Sequence, residues 1–387
     1  MVADSDIKYT TVTEGKALIK YPSWPKLERK MPIFYNPSKK FDRDVSVLIL
    51  KAYQFLQNRE LDICDLLSGT GVRGIRYFLE LEPEKIGTLV MNDKNEKAGL
   101  LIRENLRLNG IDSSSVRVYT KDAFAYLSDT EQHFDIIDID PFGSPIYFIP
   151  YALFKLRNRG LLALTATDTA ALTGTYPKVT MMRYHSYAEK IDIFPELALR
   201  IFIKQVISLG AMYDIALKPV FAYWGRNYVR AYFIKKRSTK SAKDLIKQIL
   251  YLGYCTSCYY RAPIRIDSQI SSCTFCGNNL KLMGPIYGGN FIDENLVRQA
   301  LRYSEDSSIS SFLGLLLEES KIETPYFYRT DVLSRLTKRQ EPRLNDLIRY
   351  LNDWGYNSVR THFFYKGFKT SMPYHVLLKA YTNFNRS

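Results

Sequence analysis

Residues 134–145 read Phe-Asp-Ile-Ile-Asp-Ile-Asp-Pro-Phe-Gly-Ser-Pro, an apolar run rich in β-branched residues that stops at Asp140-Pro141-Phe142-Gly143. Such a run is expected of a parallel strand covered on both faces, because burial removes the polar alternation of a half-exposed strand. The carboxyl end of a strand of this kind opens on a ligand crevice. There Asp140 offers a carboxylate, Pro141 a rigid carbonyl and Phe142 an aromatic face. An amino group on a flat ring needs that set of partners if it is to be alkylated.

Working outward, the chain from Leu61 to about Arg237 alternates short apolar runs with amphipathic stretches, the pattern of a parallel sheet covered by helices. Strands are expected at Leu61–Cys64, Thr88–Asn92, Val116–Thr120, Phe134–Ile139 and Gly160–Thr165, followed by a helix at Glu189–Leu209. Met212–Trp224 and Tyr228–Lys236 then read as two strands joined by the turn Gly225-Arg226-Asn227. Strands linked so closely run antiparallel. A closing hairpin of this sort is expected of methyltransferase sheets rather than of nicotinamide-binding ones.

The glycine-rich turn lies after the first strand, in Asp65-Leu66-Leu67-Ser68-Gly69-Thr70-Gly71-Val72-Arg73-Gly74. Gly69 and Gly71 let a ligand approach the backbone where a helix begins. Read literally, Gly69 to Gly74 also fits the dinucleotide fingerprint, with Asp93 near the position of its ribose-binding acid. Two features favour S-adenosylmethionine instead. Asp65 directly precedes the turn, where it can hold the amino-acid end of that donor, and Asp122-Ala123 follows the third strand, where a carboxylate can accept from the adenine amino group. Asp93 would take the ribose hydroxyls in either case. A single acid at a strand end is often only a turn former or helix cap, but four at successive strand ends point to a ligand.

The residues now quoted, with several others, resemble the tRNA (guanine-N2)-dimethyltransferase family acting at position 26, in its archaeal-type form. The matching segments are Phe34-Tyr35-Asn36-Pro37 with Arg43-Asp44, Ser68 to Arg76, Asn92-Asp93, Asp122-Ala123, Asp140 to Gly143, Asp168-Thr169-Ala170, four cysteines, and Arg360-Thr361-His362-Phe363 with Lys369-Thr370. They follow one another in order over nearly the whole chain. The resemblance implies that Arg43, Arg73, Asp93, Asp122 and Ala123 contact S-adenosylmethionine, that Asp140 is catalytic, and that Phe34 and Phe142 hold the guanine between them. Asn36 belongs to the same base-binding turn, although Asn-Pro is also an ordinary turn starter.

Guanine N2 is a poor nucleophile because its lone pair is delocalised into the ring. Attack on an electrophilic methyl requires that pair to localise as nitrogen becomes tetrahedral, so acceptors placed for the tetrahedral N–H groups favour the transition state. Asp140 and the Pro141 carbonyl suit that task, and Phe142 stacks on the ring. Asp140 need not be a strong base, because the amine becomes acidic once methylated.

Cys255-x2-Cys258 and Cys273-x2-Cys276, separated by 14 residues, have the paired spacing of a structural zinc site. Two disulfides are the alternative, disfavoured in an intracellular chain. Cys64, in the first strand, is expected in the core. His133, His185, His362 and His375 show no paired spacing that would mark a metal or catalytic site.

These readings give an α/β fold: a Rossmann-like, class I S-adenosylmethionine-dependent methyltransferase domain at residues 31–237, after an extension at 1–30, and a smaller α+β zinc-containing domain at 238–387. The smaller domain holds the cysteine segment at 254–289, then helical patterns at Asp293–Ser304, Ser308–Glu319, Asp331–Thr337 and Arg343–Trp354, and a strand at Ser358–Tyr365, an arrangement akin to a winged helix. A formal charge of +14, from 54 basic against 40 acidic residues, favours a polyanionic partner. That partner is expected to be tRNA, with Arg335, Lys338, Arg339, Arg343 and Arg349 as phosphate contacts and salt-sensitive binding. No membrane span or signal peptide is evident, so a cytoplasmic monomer with no membrane association is expected. Two rivals stand beside this reading: an amino-group methyltransferase acting on adenine N6 or another RNA base, and a zinc-containing nucleic-acid-binding protein with an inactive Rossmann-like domain.

Overall fold

The computed structural model describes residues 8–23, 33–112, 114–268 and 270–384. Much of the extension expected at 1–30 lies outside them. The chain divides into two compact units, neither continuous in sequence. The first takes Met1–Thr167, Arg230–Arg237 and Asp293–Ile309, and the second takes Asp168–Val229, Ser238–Ile292 and Ser310–Ser387.

An antiparallel hairpin that the sequence did not announce opens the first unit: β1 (Tyr9–Glu14) and β2 (Ala17–Pro22), with Glu14 opposite Ala17. Next come α1 (Lys40–Gln57), β3 (Leu61–Asp65), α2 (Val72–Glu80), β4 (Ile86–Asn92), α3 (Glu96–Leu108), β5 (Val116–Tyr119), α4 (Ala123–Asp129), β6 (Phe134–Ile139), α5 (Ile149–Lys155) and β7 (Leu156–Ala166). In α1 the buried apolar residues Val45, Val47, Leu48, Ile49, Leu50, Ala52 and Tyr53 spread beyond a single stripe, as expected of a helix covered on more than one face. All five expected parallel strands are present. Every residue of β6 is buried, as its unbroken apolar run implied.

Two further strands, β8 (Ile215–Trp224) and β9 (Val229–Arg237), complete a seven-stranded sheet of order β5-β4-β3-β6-β7-β9-β8. Gly225 N donates to the Tyr228 carbonyl at 2.8 Å, which closes the expected turn between them. The parallel ladder sets Asp65 of β3 level with Asp138 of β6. Chain order reverses between these two neighbours, and a reversal of that kind opens a crevice at the strands' carboxyl ends. The glycine turn after β3 and Asp140 after β6 therefore leave the sheet side by side.

The second unit contains α6 (Thr169–Leu172), α7 (Pro177–Tyr184) and α8 (Phe194–Ala211). Helix α8 starts five residues later than its pattern suggested. Pro195 occupies its first turn, and the residue before a proline is disfavoured in helical geometry. After α9 (Thr239–Ile246), the strands β10 (Ile249–Tyr254), β11 (Arg261–Ile264) and β12 (Lys281–Tyr287) form a sheet of order β11-β10-β12. Helix α10 (Glu294–Arg302) belongs to the first unit; after it the order is α11 (Ser307–Ser320), β13 (Tyr328–Arg329), α12 (Thr330–Thr337), α13 (Leu344–Asp353), β14 (Ser358–Arg360), β15 (Gly367–Thr370) and α14 (Tyr374–Phe384). Strands β13, β15 and β14 form a third small sheet.

The strand expected at Ser358–Tyr365 thus ends at Arg360. Beyond it Thr361 N still bonds the Gly367 carbonyl and Gly367 N that of Phe364, so a tight turn returns the chain into β15. The Glu319 carboxylate accepts from Thr361 Oγ1 at 2.6 Å and from His362 N at 3.2 Å beside that turn. Burial alone would raise the pKa of Glu319, but His362, Lys369 and Thr361 outweigh it and hold the carboxyl down at about 2. A depressed carboxyl stabilises the fold above its unfolded pKa, near 4.5, and that contribution is lost as pH falls through about 2. The shift corresponds to about 3 kcal/mol. In urea unfolding across that window, the advantage of the wild type over Glu319→Gln is expected to shrink with acid; a pH-independent difference would contradict the assignment. Among the described residues, no helix is long and apolar enough to cross a membrane.

Candidate active site and metal centre

The turn after β3 is shaped by close backbone approach. Gly69 has φ +56°, and a Cβ there would lie 3.0 Å from the Phe34 carbonyl oxygen. A Cβ on Gly74 would meet Met91 Sδ at 2.5 Å and Asp65 Oδ2 at 3.4 Å. Gly71, with φ +79°, caps the start of α2. Three of the four sequence-predicted acids hold backbone. Asp65 Oδ2 accepts from Gly74 N at 3.2 Å, Asp93 accepts from Gly69 N at 3.0 Å and Asn95 N at 2.9 Å, and Asp122 caps α4 by accepting from Phe124 N at 2.9 Å. Ala123 is buried at the first position of that helix.

Burial, with Asp138 adding to it, pushes the Asp65 carboxyl up to about 7, and burial also raises Asp93. Both acids are therefore poised to gain from a donor group arriving at the turn. Thr70 Oγ1, between the two glycines, is buried without a hydrogen-bond partner. This orphaned oxygen, the raised acids and the helix start fit a ligand with a charged amino-acid end and hydroxyls.

Asp140 stands at the other lip of the crevice, clasped by two cations. Its Oδ1 accepts from Lys39 Nζ and its Oδ2 from Arg73 Nη2, each at 2.7 Å. Burial alone would raise its pKa, but Lys39, Arg73 and Arg230 outweigh it and hold the carboxyl well below the usual range. Because Arg73 belongs to the first turn of α2, this ion pair lies at the glycine turn and ties the two lips together. A carboxylate has about four acceptor directions, so two remain for a substrate. Gly143 closes the turn beyond it, exchanging bonds with Thr167: its N donates to Oγ1 at 2.7 Å and its carbonyl accepts from Thr167 N at 2.8 Å.

Arg73, for which the resemblance implied a donor contact, bonds Ser46 Oγ at 2.8 Å and Asp42 Oδ2 at 2.7 Å, besides Asp140. Arg43 likewise forms a fork on Glu14, with both bonds at 2.6 Å, and its Nη2 reaches the Asn36 carbonyl at 3.1 Å. Asn36 itself caps the turn Pro37–Lys39 by accepting from Ser38 N at 2.9 Å. Phe34 and Phe142 come together, but edge to face, with centroids 4.4 Å apart and planes at 75°. A base fits between two rings only when they stand farther apart than that, so holding guanine requires them to separate.

Sequence reasoning missed the charged layer beneath the site. Arg230 of β9 reaches Asp138 Oδ1 at 2.8 Å and Oδ2 at 2.6 Å, and the Tyr77 hydroxyl donates to Asp138 at 2.6 Å. Glu14 binds Arg43, Arg76 and Tyr35. Only Asp138 had a local signal, as a charge inside the otherwise apolar β6.

In the second unit, the four cysteines Cys255, Cys258, Cys273 and Cys276 place their sulfurs within 4.8 Å of one another. They are free thiols, which sets the disulfide alternative aside. Two turns of the same design present them. Cys255 N donates to the Tyr260 carbonyl, as Cys273 N donates to that of Asn278; Tyr259 N and Gly277 N donate in return to the two cysteine carbonyls. Tyr259 (φ +58°) and Gly277 (φ +78°) hold the left-handed conformation that each turn requires. Four converging sulfurs of this kind suit a tetrahedral zinc ion.

A sheet of this order, with a glycine turn after its first parallel strand and acids at successive strand ends, defines a class I S-adenosylmethionine-dependent methyltransferase. A family model described as N2,N2-dimethylguanosine tRNA methyltransferase matches residues 11–382. The chain belongs to that family. It is 35% identical to the tRNA (guanine(26)-N(2)/guanine(27)-N(2))-dimethyltransferase of Aquifex aeolicus, over 95% of this chain and 94% of that one. To the tRNA (guanine(26)-N(2))-dimethyltransferase of Methanobrevibacter smithii it is 32% identical, over 95% and 96%. Among solved structures, Trm1 from Pyrococcus horikoshii in complex with S-adenosyl-L-methionine superposes with a TM-score of 0.83 at 28% identity, covering 96% of this chain and 99% of that one.

Proposed function

We propose that the protein transfers one or two methyl groups from S-adenosylmethionine to the exocyclic N2 of guanosine 26 in tRNA. The observation that carries this reading is the position of Asp140: the carboxylate after β6 is joined through Arg73 to the glycine turn after β3, in a chain whose family is defined by dimethylated guanosine. Asp65, Gly69, Gly71, Asp93, Asp122 and Ala123 hold the donor, with Arg43 and Arg73 bracing the surrounding loops. When bound, the donor supplies an electrophilic methyl group on a positively charged sulfur.

Asp140 and the Pro141 carbonyl accept the N–H groups of the guanine amine and hold the nitrogen in line with the methyl carbon. As nitrogen becomes tetrahedral its protons turn towards these acceptors, so the bonds strengthen on the way to the transition state. Asp140 then takes the proton that the methylated amine sheds. Phe142 stacks on the base after parting from Phe34, with Asn36 fixing the turn that carries Phe34.

Residues 31–237 form the transferase domain in this reading, and residues 238–387 form a docking domain for tRNA, organised by zinc on the four cysteines. Its order of helix, strand, two helices and two strands, from α11 to β15, is that of a winged helix and supports the docking role. Arg335, Lys338, Arg339, Arg343 and Arg349 supply phosphate contacts there. The protein works as a cytoplasmic monomer without membrane contact.

The test is incubation with unmodified tRNA and labelled donor, then nuclease digestion and mass spectrometry. N2-methyl- and N2,N2-dimethylguanosine at position 26 are expected. Methyl groups on adenine alone would favour the N6 rival, and donor binding without turnover on any tRNA would favour the inactive one.

A further inference from the structure

We infer that Lys39 is a positioning residue that sets the preference of the donor site between the charged methyl donor and its neutral product. The inference rests on the reading of the site given above. Three carboxylates, Asp42, Asp138 and Asp140, meet three cations, Lys39, Arg73 and Arg230, in one cluster. Asp140 takes Lys39 and Arg73 at 2.7 Å each, Asp42 takes Arg73 at 2.7 Å, and Asp138 takes Arg230 at 2.6 Å, with Arg73 at 3.8 Å from it. Formal charge within the cluster is balanced. Asp65, with its carboxyl raised to about 7, adds only part of a negative charge at neutral pH.

Little water reaches these groups to screen an added charge. The side chains of Asp42, Asp138 and Arg230 are 0% exposed and that of Arg73 is 5% exposed. A sulfonium brought up to Asp140 therefore adds one positive charge to a balanced, poorly screened cluster. Methyl transfer turns the sulfonium into a neutral thioether and removes that charge. The two ligands otherwise share their shape, so the charge facing Asp140 is what tells them apart.

Of the three cations, Lys39 is the most exposed, at 12%, and it ends the single turn Pro37–Lys39 rather than lying inside a long element. Arg73 also serves Asp42 and Ser46, and Arg230 also serves Thr165. Lys39 stands at the rim of the cluster and faces the carboxylate that a bound sulfonium would approach. Its ammonium repels the donor and leaves the product untouched. Its bond to Oδ1 also fixes the rotamer in which Asp140 meets the substrate.

Calorimetric titration of the full chain with S-adenosylmethionine and, separately, with S-adenosylhomocysteine tests this at one ionic strength. Lys39→Met, which keeps the stem and removes the charge, is expected to tighten the donor roughly three- to tenfold while moving the product by less than about twofold. Lys39→Arg restores the wild-type ratio. Asp140→Asn removes the opposite charge and shifts the ratio the other way. Equal shifts for both ligands in Lys39→Met, no shift in either, or a weaker donor would overturn the inference while leaving the site reading intact. If the wild type binds neither ligand, the site reading fails and this inference falls with it.

Discussion

Asp140→Asn is expected to lower the single-turnover rate of methyl transfer to tRNA by about 10²- to 10⁴-fold, the range that a positioned proton acceptor contributes. The amide is nearly isosteric, so the turn through Gly143 and Thr167 is retained. Half of its acceptor capacity is replaced by N–H donors that point at Lys39, Arg73 or the guanine amine. Arg73 keeps Asp42 and Ser46, so the network does not collapse when the charge at 140 is lost. The loss belongs in kcat, because the bonds to the tetrahedral nitrogen matter most in the transition state. Affinity for tRNA, which is dominated by phosphate contacts, stays within about threefold. A rate within tenfold of wild type would remove Asp140 from the mechanism.

Loss of the metal is the second large effect expected. Among the described residues, Cys255, Cys258 and Cys273 form a small buried cluster with Tyr260 and Leu280 packed against it, so the two turns have little apolar core of their own. Zinc on four thiolates contributes roughly 10 to 16 kcal/mol in peptides that fold only around it. Cys258→Ser or exhaustive chelation should release one zinc per chain, expose the stretch from Cys255 to Cys276 to protease, and lower Tm by about 10 °C or more. The Cys258 carbonyl accepts from the Tyr374 hydroxyl, so the disturbance should extend to α14. Titration with S-adenosylmethionine should still show binding, since every residue proposed to hold the donor lies in the first unit. A chain that purifies without zinc, or a serine variant with unchanged Tm and protease resistance, would contradict the metal assignment.

Legibility followed sequence distance. Strand β6 and its terminal Asp140 could be read because burial on both faces leaves a local apolar run, and the glycine turn because a left-handed backbone selects glycine where it occurs. The cysteine turns were legible from spacing alone. The ion pairs were not. Arg43 meets Glu14 across 29 residues, Arg73 meets Asp42 across 31, and Arg230 meets Asp138 across 92, and charge pairing at such range leaves no periodic trace. The same distance hid the bond from Thr361 to Glu319, 42 residues away. Asp122 shows the converse: its position at a strand end was read for adenine binding, and its bonds in the structure are those of a helix cap, to which the same local signal also points.

The proposed reaction turns on Asp140 accepting a guanine amine in the directions its two cations leave open. A crystal structure of the protein with S-adenosylhomocysteine and unmodified tRNA measures it directly, as the separation between the Asp140 carboxylate and N2 of guanosine 26. The account predicts about 3 Å, with the sulfur of the product on the far side of N2. A bound guanosine whose amine lies beyond hydrogen-bond reach of Asp140 would contradict it.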